Sequence, residues 1–458
     1  MQIRPLSTVP VPRSRRASTL SLPNGGREGL AAAISSKLAS VPDGREPSGK
    51  TKERHRPSTA LSEDAVLEKP WLTAKNTRAR ISWWLTVCVS MLGVVASFIR
   101  CFFGFREVPL LKGNLCLVLD DQFDSASGQG INTDIWSWEV DLGGFGNGEF
   151  EMATNSPNNS FVEDGILYLV PTLTSDVIGQ DAIYNGHTFN LTGCTAANQT
   201  GCGVVSNITT QTVINPVQSA RLTTINSTSI RYGKVEIRAR NPRGDWLWPA
   251  LWMLPLNNTY GPWPISGEID IMESRGNDIS YPKQGRNFVR ASLNWGPLTF
   301  LNEVSKTFGW WMNRRSGFDQ DFHIYTLEWS SKFIRAYVDT RLHFMMDIPF
   351  NEPFFTRGDF PPAVFNGSTG QEISVTDPWP AGDNAAPFDQ PFYLIMDLAV
   401  GGTNGWFPDG AGGKPWLDQS SSAMYDFARA QDQWFPTWPT DVRQRALAVD
   451  YVKMWQLC

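Results

Sequence analysis

The chain has 458 residues, with 40 Lys and Arg against 45 Asp and Glu, and it is rich in aromatics: 19 Trp, 10 Tyr and 26 Phe. Its 4 histidines, His55, His187, His323 and His343, show no H-x-x-x-H or similar spacing, which argues against a His-rich metal site and against a His-based catalytic triad. So many aromatics serve either a large core or a groove that stacks sugars, because an aromatic face matches the C–H face of a pyranose.

Residues 1–80 carry 15 Lys and Arg against 7 Asp and Glu, while the whole chain stands at −5, so a basic head precedes an acidic body. The head is rich in Ser, Pro, Arg and Gly and has no sustained apolar period. It cannot bury enough apolar surface to offset its ordering entropy, and is expected to be a disordered, solvated tail rather than a nucleic-acid arm. Residues 81–99 follow, 19 residues without a charge. As a helix they would span about 28 Å, close to a hydrocarbon core of roughly 30 Å. Trp83 and Trp84 sit at one end, as interfacial aromatics do, and the position within the chain suits a signal anchor better than a cleaved leader.

Lys75, Arg78 and Arg80 precede the span, and Arg100 and Arg106 follow as a lesser counterweight. The positive-inside rule then places the N-terminus in the cytosol and the body in the secretory lumen or outside. The N-x-S/T acceptors Asn158, Asn190, Asn198, Asn207, Asn226, Asn257 and Asn366 all lie beyond the span, in agreement with that topology. Cys116, Cys194, Cys202 and Cys458 remain outside it. In an oxidising compartment Cys194 with Cys202 would close a local loop, and Cys116 with Cys458 would tie the ends of the body, a pairing that only geometry decides.

From about Leu115 onward the sequence reads as short strands punctuated by Gly, Pro, Asn and Asp. They are LYLVPTL, SARLTT, GKVEIRAR, ALWML, GEIDIME, NFVRASLNW, HIYTLEW, FIRAYVD, FYLIMDLAV and ALAVDYVKMW. Without βα alternation this indicates an all-β sandwich or barrel. The Thr-, Asn- and Gly-rich stretch 174–217 is expected to be a long loop.

The strand GEIDIMES carries the chemistry. Alternate residues share a face, so Glu268 and Asp270 point one way while Ile269 and Ile271 point the other. Strict alternation would send Glu273 to the apolar face, at high cost for a charge. A one-residue bulge near Ile271–Met272 resolves the conflict and sets three acids on one face. Retaining glycoside hydrolysis needs two carboxyls about 5–5.5 Å apart, and like charges this close raise at least one pKa. Glu268 is read as nucleophile, Glu273 as general acid/base and Asp270 as the residue that orients the nucleophile. An acidic strand edge or a Ca²⁺ site would use the same oxygens. In GDWLWPALWML, alternation puts Trp246, Trp248 and Trp252 on one face, as a sugar platform, although Trp252 suits the core equally well.

GDWLWPALWMLP, WPISGEIDIMESRGN, FHIYTLEW and FYLIMDLAVGGTNGWFPD, in that order, resemble glycoside hydrolase family 16, over residues 117–457. The nearest branch is that of the laminarinase-like β-1,3-glucanases and their β-1,3-glucan-binding relatives. The resemblance implies a β-jelly-roll of two curved antiparallel sheets with a cleft on the concave face, and it assigns Glu268, Asp270 and Glu273 the same roles. It also implies substrate contacts from Arg221, Trp246, Trp248, Asn294, Trp295, Asn404 and Trp406. It requires no cofactor and leaves room for a structural calcium whose ligands it does not single out. One departure is Asn294, where the pattern has a His: Asn donates and accepts but does not titrate near neutral pH.

The resulting division is a disordered basic cytosolic tail (1–80), a transmembrane signal anchor that meets the lipid bilayer (81–105), a short stalk (106–115) and the catalytic domain (116–458). This is the topology of a single-pass type II membrane protein, as in some fungal wall-synthesis members of the family. The expected partner is a β-glucan, β-1,3 or mixed β-1,3/1,4, and not a nucleic acid. The expected reaction is hydrolysis. Transglycosylation in cell-wall assembly and non-catalytic glucan binding are the alternatives.

Overall fold

The computed structural model describes residues 64, 66, 68–73, 76–124, 130–365 and 370–458. The expected disordered tail therefore falls mostly outside the described residues, as do Lys75 and the acceptor Asn366. The chain divides into two units, Met1–Phe105 and Arg106–Cys458. The helix Thr77–Glu107 begins in the first; its most apolar 18 residues have a mean hydropathy of 2.0, and Thr77–Arg106 is long and apolar enough to cross a membrane.

The second unit is built on two eight-stranded antiparallel sheets. The cleft-bearing sheet contains β1 (Ser137–Trp138), β2 (Arg221–Thr223), β3 (Ser229–Ile230), β4 (Leu247–Pro255), β5 (Glu268–Ser274), β6 (Phe288–Asn294), β7 (Phe308–Met312) and β8 (Phe392–Val400). Its spatial order is β7-β6-β5-β4-β8-β2-β1, with β3 also paired to β8. In the other sheet the strand Gly233–Arg240 lies between His323–Trp329 and the C-terminal strand Leu447–Leu457. One apolar layer fills the space between them: Val235 and Ile237 from one sheet meet Leu251, Met253, Ile269 and Met272 from the other, all free of solvent.

Alternation explains these strands. Gly233–Arg240 buries every second residue, which is what GKVEIRAR dictates. Each strand segment named from the sequence overlaps an observed strand, and among the described residues the body contains no helix longer than Ala423–Arg429. The stretch 174–217 is more regular than a plain loop. It holds the short helices Ser175–Ile178 and Gln180–Tyr184 and a hairpin, Thr188–Asn190 with Gly203–Val205. Its sequence hid this because Ile183, Val213 and Ile214 are buried in a small separate cluster with Leu142 and Met152.

Cys194 is bonded to Cys202 and Cys116 to Cys458, the latter joining the strand Leu115–Asp121 to the end of Leu447–Leu457, its sheet neighbour. Asn158, Asn190, Asn198, Asn207, Asn226 and Asn257 are all exposed.

Candidate active site

The strand β5 carries a bulge where the sequence pattern demands one. Against β4, Met272 faces Leu251 and Asp270 faces Trp252, so Ile271 has no partner. Against β6, Asp270 faces Ser292 and Glu273 faces Arg290, leaving Ala291 opposite both Ile271 and Met272. Ile269, Ile271 and Met272 are all fully buried between the sheets. Glu268, Asp270 and Glu273 consequently share the opposite face and line one cleft of about 830 Å³.

Shared donors bind the acids into a row. The Asn294 Nδ2 donates to Glu268 Oε1 at 2.6 Å and to Asp270 Oδ2 at 3.0 Å. Ser292 Oγ donates to Asp270 Oδ2 at 2.5 Å and reaches Glu273 Oε2 at 3.4 Å. Indole N–H groups cap the two ends: Trp263 donates to Glu268 Oε2 at 3.0 Å, and Trp248 to Glu273 Oε1 at 3.1 Å. Asn302 Nδ2 donates to Asn294 Oδ1 at 2.7 Å, which turns the Asn294 amide so that its N–H faces the acids. The Asn at the position of the expected His thus works as a fixed donor to two carboxyls.

Burial, reinforced by the Glu273 charge, pushes the Glu268 carboxyl up to about 7, against the hydrogen bonds from Trp263 and Asp270. Burial and the charges of Glu268 and Glu273 hold Asp270 well above the usual carboxylate range. A neutral Asp270 can donate to an ionised Glu268. Deeper in the cleft, burial pushes Asp397 up to about 7 against the pull of Arg221, and Trp252 Nε1 donates to its Oδ1 at 2.6 Å. Burial likewise raises the neighbouring Glu149 and Glu151.

These raised acids fix the sign of the pH dependence of stability. Glu268 and Asp397 titrate near 7 when folded, against ordinary values of 4.5 and 3.8, so the folded state holds more protons between those limits. Stability is therefore greatest below pH 3.8 as far as these two groups decide it, and is lost as pH rises through about 7. Thermal melting of the protein should give a lower midpoint at pH 8 than at pH 5.5, with a smaller difference in the Glu268→Gln/Asp397→Asn variant. A midpoint that rises over this window would contradict the burial of these acids.

Most of the other expected substrate contacts lie in the cleft. Arg221 is ion-paired to Glu139 at 2.5 Å, with its guanidinium between the rings of Phe145 and Trp252 at 4.2 and 4.7 Å. Trp248 stacks on Trp406 with ring centres 5.0 Å apart and planes 13° from parallel. Asn404 is exposed at the cleft rim and donates to Asn147 Oδ1 at 3.1 Å. Trp252, left open between core and cleft, belongs to the cleft.

Two expectations fail. Trp246 is buried against Tyr281, Phe407 and Trp416 and does not line the cleft. Its φ of 68° turns the chain just before β4 begins, so the alternation that places Trp248 does not extend back to it. Trp295 is fully buried as well, packed on Phe354 and donating to Thr307 Oγ1 at 2.7 Å. It follows the last residue of β6, and with Asn294 facing the cleft it must face the interior. Sequence reasoning also missed Trp263, Ser292 and Asn302. The first stands in the quoted WPISGEID, and Ser292 sits two residues before Asn294, on the same face.

Among the described residues, no group of three or more His, Cys, Asp or Glu side chains is arranged to hold a metal ion.

The model of the glycosyl hydrolases family 16 matches residues 190–389. A β-1,3-glucan-binding protein of Penaeus monodon is 40% identical over 383 residues, 80% of this chain and 99% of its own length. The β-1,3-glucan-binding protein 1 of Galleria mellonella is 32% identical over 350 residues, 74% of this chain, which spans 64% of that protein. Among solved structures, the laminarinase from Rhodothermus marinus is 25% identical with a TM-score of 0.46, over 76% of this chain and 99% of that one. With the acid row on a bulged strand and relatives of this extent, the chain belongs to glycosyl hydrolases family 16, in the branch that holds the β-1,3-glucan-binding proteins.

Proposed function

We propose that the chain cleaves β-1,3-glucan with retention of configuration at the anomeric carbon. The observation that carries this reading is the row Glu268, Asp270 and Glu273 on one face of β5, held by Asn294 and Ser292 and capped by two indole N–H groups. In the first step ionised Glu268 attacks the anomeric carbon, and Glu273 gives its proton to the departing glycosidic oxygen as that bond breaks. A glycosyl ester on Glu268 results. In the second step Glu273 takes a proton from the acceptor hydroxyl, which attacks the same carbon and releases Glu268. Asp270, Asn294 and Trp263 all present donors to Glu268, so each stabilises its ionised form before attack and after release.

The second reading is glucan binding without cleavage, favoured by the names of the Penaeus and Galleria relatives. Both readings take the same ligand. Incubation with laminarin, lichenan and pustulan oligosaccharides separates them: shortened products support hydrolysis and lengthened ones support transfer to a sugar. Binding with unchanged chain lengths leaves only the second reading.

We also propose that Thr77–Arg106 anchors the body on the lumenal or outer side of a membrane. The apolarity of that helix, two disulfides and the exposed N-x-S/T acceptors support this topology. Protease treatment of sealed microsomes should leave the body intact and remove the tail; digestion of the body would sink the topology.

A further inference from the structure

The cleft does not stop at its lining. Beyond β6 lies the edge strand β7, FGWWM, whose Phe308, Trp310 and Met312 are 40, 49 and 49% exposed. Their direction follows from register. Phe308 pairs with Ser292 and Trp310 with Arg290, and directly opposed residues share a face of the sheet. Ser292 and Arg290 line the cleft, so Phe308 and Trp310 face the same side as the acids. Gly309 between them lies against the other sheet, where any Cβ would collide with the Met345 carbonyl. The edge is thereby held close, and its aromatic face is presented outward.

Arg290 connects the two regions. Its guanidinium lies 4.9 Å from the centre of the Phe308 ring and 5.6 Å from that of Trp406, which itself stacks on Trp248. Phe308 in turn stacks on Trp310, with centres 5.8 Å apart and planes 26° from parallel. The buried Nε of Arg290 has no hydrogen-bond partner among the described residues, although the group lines the cleft. An arginine packed on ring faces, with a buried Nε left unpartnered beside an exposed stacked pair, lacks an acceptor that a sugar hydroxyl supplies.

We infer that Phe308 and Trp310, with Arg290, form a second sugar-binding platform that takes the part of a β-glucan chain running past the acids toward β7. The inference rests on the cleft being a glucan site, as proposed above. Two strand spacings put β7 about 10 Å from β5, so only an oligosaccharide long enough to leave the acid row reaches it. A neutral polysaccharide suits the surface better than a charged ligand, since the exposed Phe308 and Trp310 faces dominate it while the guanidinium groups of Arg290 and Arg275 lie against ring faces.

The test is binding of laminaritriose and laminarihexaose to the full chain in detergent, in the Glu268→Gln background where ligand is not consumed. Trp310→Ala and Phe308→Ala should each weaken hexaose binding about tenfold, the order expected for one lost aromatic contact, and leave triose binding unchanged. Trp310→Phe should retain most of the hexaose affinity. Because both side chains are exposed, the variants should melt with the parent, and that is measured alongside. Unchanged hexaose affinity in both alanine variants overturns the platform, as does an equal loss for triose and hexaose. If the parent binds neither sugar, the glucan reading of the cleft itself falls, and the platform falls with it.

Discussion

Glu268→Gln and Glu273→Gln should each lower turnover of laminarin by roughly 10³-fold or more, while glucan binding persists. The geometry says why the loss is one of chemistry. Glutamine has nearly the shape of glutamate, so at position 268 the Asn294 donor at 2.6 Å or the Trp263 donor at 3.0 Å keeps an acceptor. What disappears is the carboxylate that bonds to the anomeric carbon. At position 273 the group that passes a proton to and from oxygen disappears, while the side-chain oxygen can still accept from Trp248. Glu268→Gln should also raise the melting midpoint above pH 7, because it removes a charge that burial and Glu273 oppose. Lost activity with gained stability marks a functional carboxylate. Lost activity with equally lost stability would mark a structural one, and would contradict the assignment. Activity at each pH and the melting curve of the same preparation decide between them.

Removal of the Cys116–Cys458 bond should have the largest effect on stability. The bond closes a loop of 342 residues, and a chain of that length loses about 6 kcal/mol of unfolded-state entropy on closure. For a body of this size that corresponds to roughly 8 °C in the melting midpoint. The Cys194–Cys202 bond closes only 8 residues, for which the same argument gives about 2–3 kcal/mol. Melting curves of Cys116→Ala/Cys458→Ala and Cys194→Ala/Cys202→Ala, both without added reductant, should therefore rank the long-range pair first. A larger loss from the short loop would show that native contacts around 194–202, rather than loop entropy, govern the difference.

The acid strand was legible because its chemistry and its periodicity disagree. Isoleucines at 269 and 271 and acids at 268, 270 and 273 cannot satisfy a period of two without one extra residue, and the bulge at Ile271–Met272 supplies it. Parity fails where a strand ends. Trp246 looked like a companion of Trp248, but a left-handed backbone angle at Trp246 intervenes, a feature no count of alternation detects. For Trp295 parity alone would have given the right answer, since Asn294 and Trp295 cannot both face the cleft. The resemblance to a family motif overrode it. Asn302 was out of reach for another reason. It acts through Asn294 across a loop, and nothing in its local sequence marks a side chain whose partner lies 8 residues away.

The edge strand β7 escaped notice because Gly309 weakens its strand pattern and its neighbour in the other sheet cannot be read from sequence. The acids below the catalytic row escaped too. Glu149 and Glu151 lie two residues apart in one segment, Asp397 comes from β8, and the two segments meet only in the folded chain. Burial raises the pKa of all three, and Glu149 and Asp397 line the cleft.

The central claim is that Glu268 forms a covalent bond to the sugar, with Glu273 serving as acid and then base. The most direct measurement is proton NMR of the first new anomeric centre made from a laminari-oligosaccharide, recorded before mutarotation. Two displacements at one carbon give a β product, whether water or a sugar is the acceptor, and that is the predicted result. An α product would show a single displacement and contradict the roles assigned to Glu268 and Glu273. The absence of any new anomeric centre, with the oligosaccharide still bound, would show that this cleft holds glucan without cleaving it.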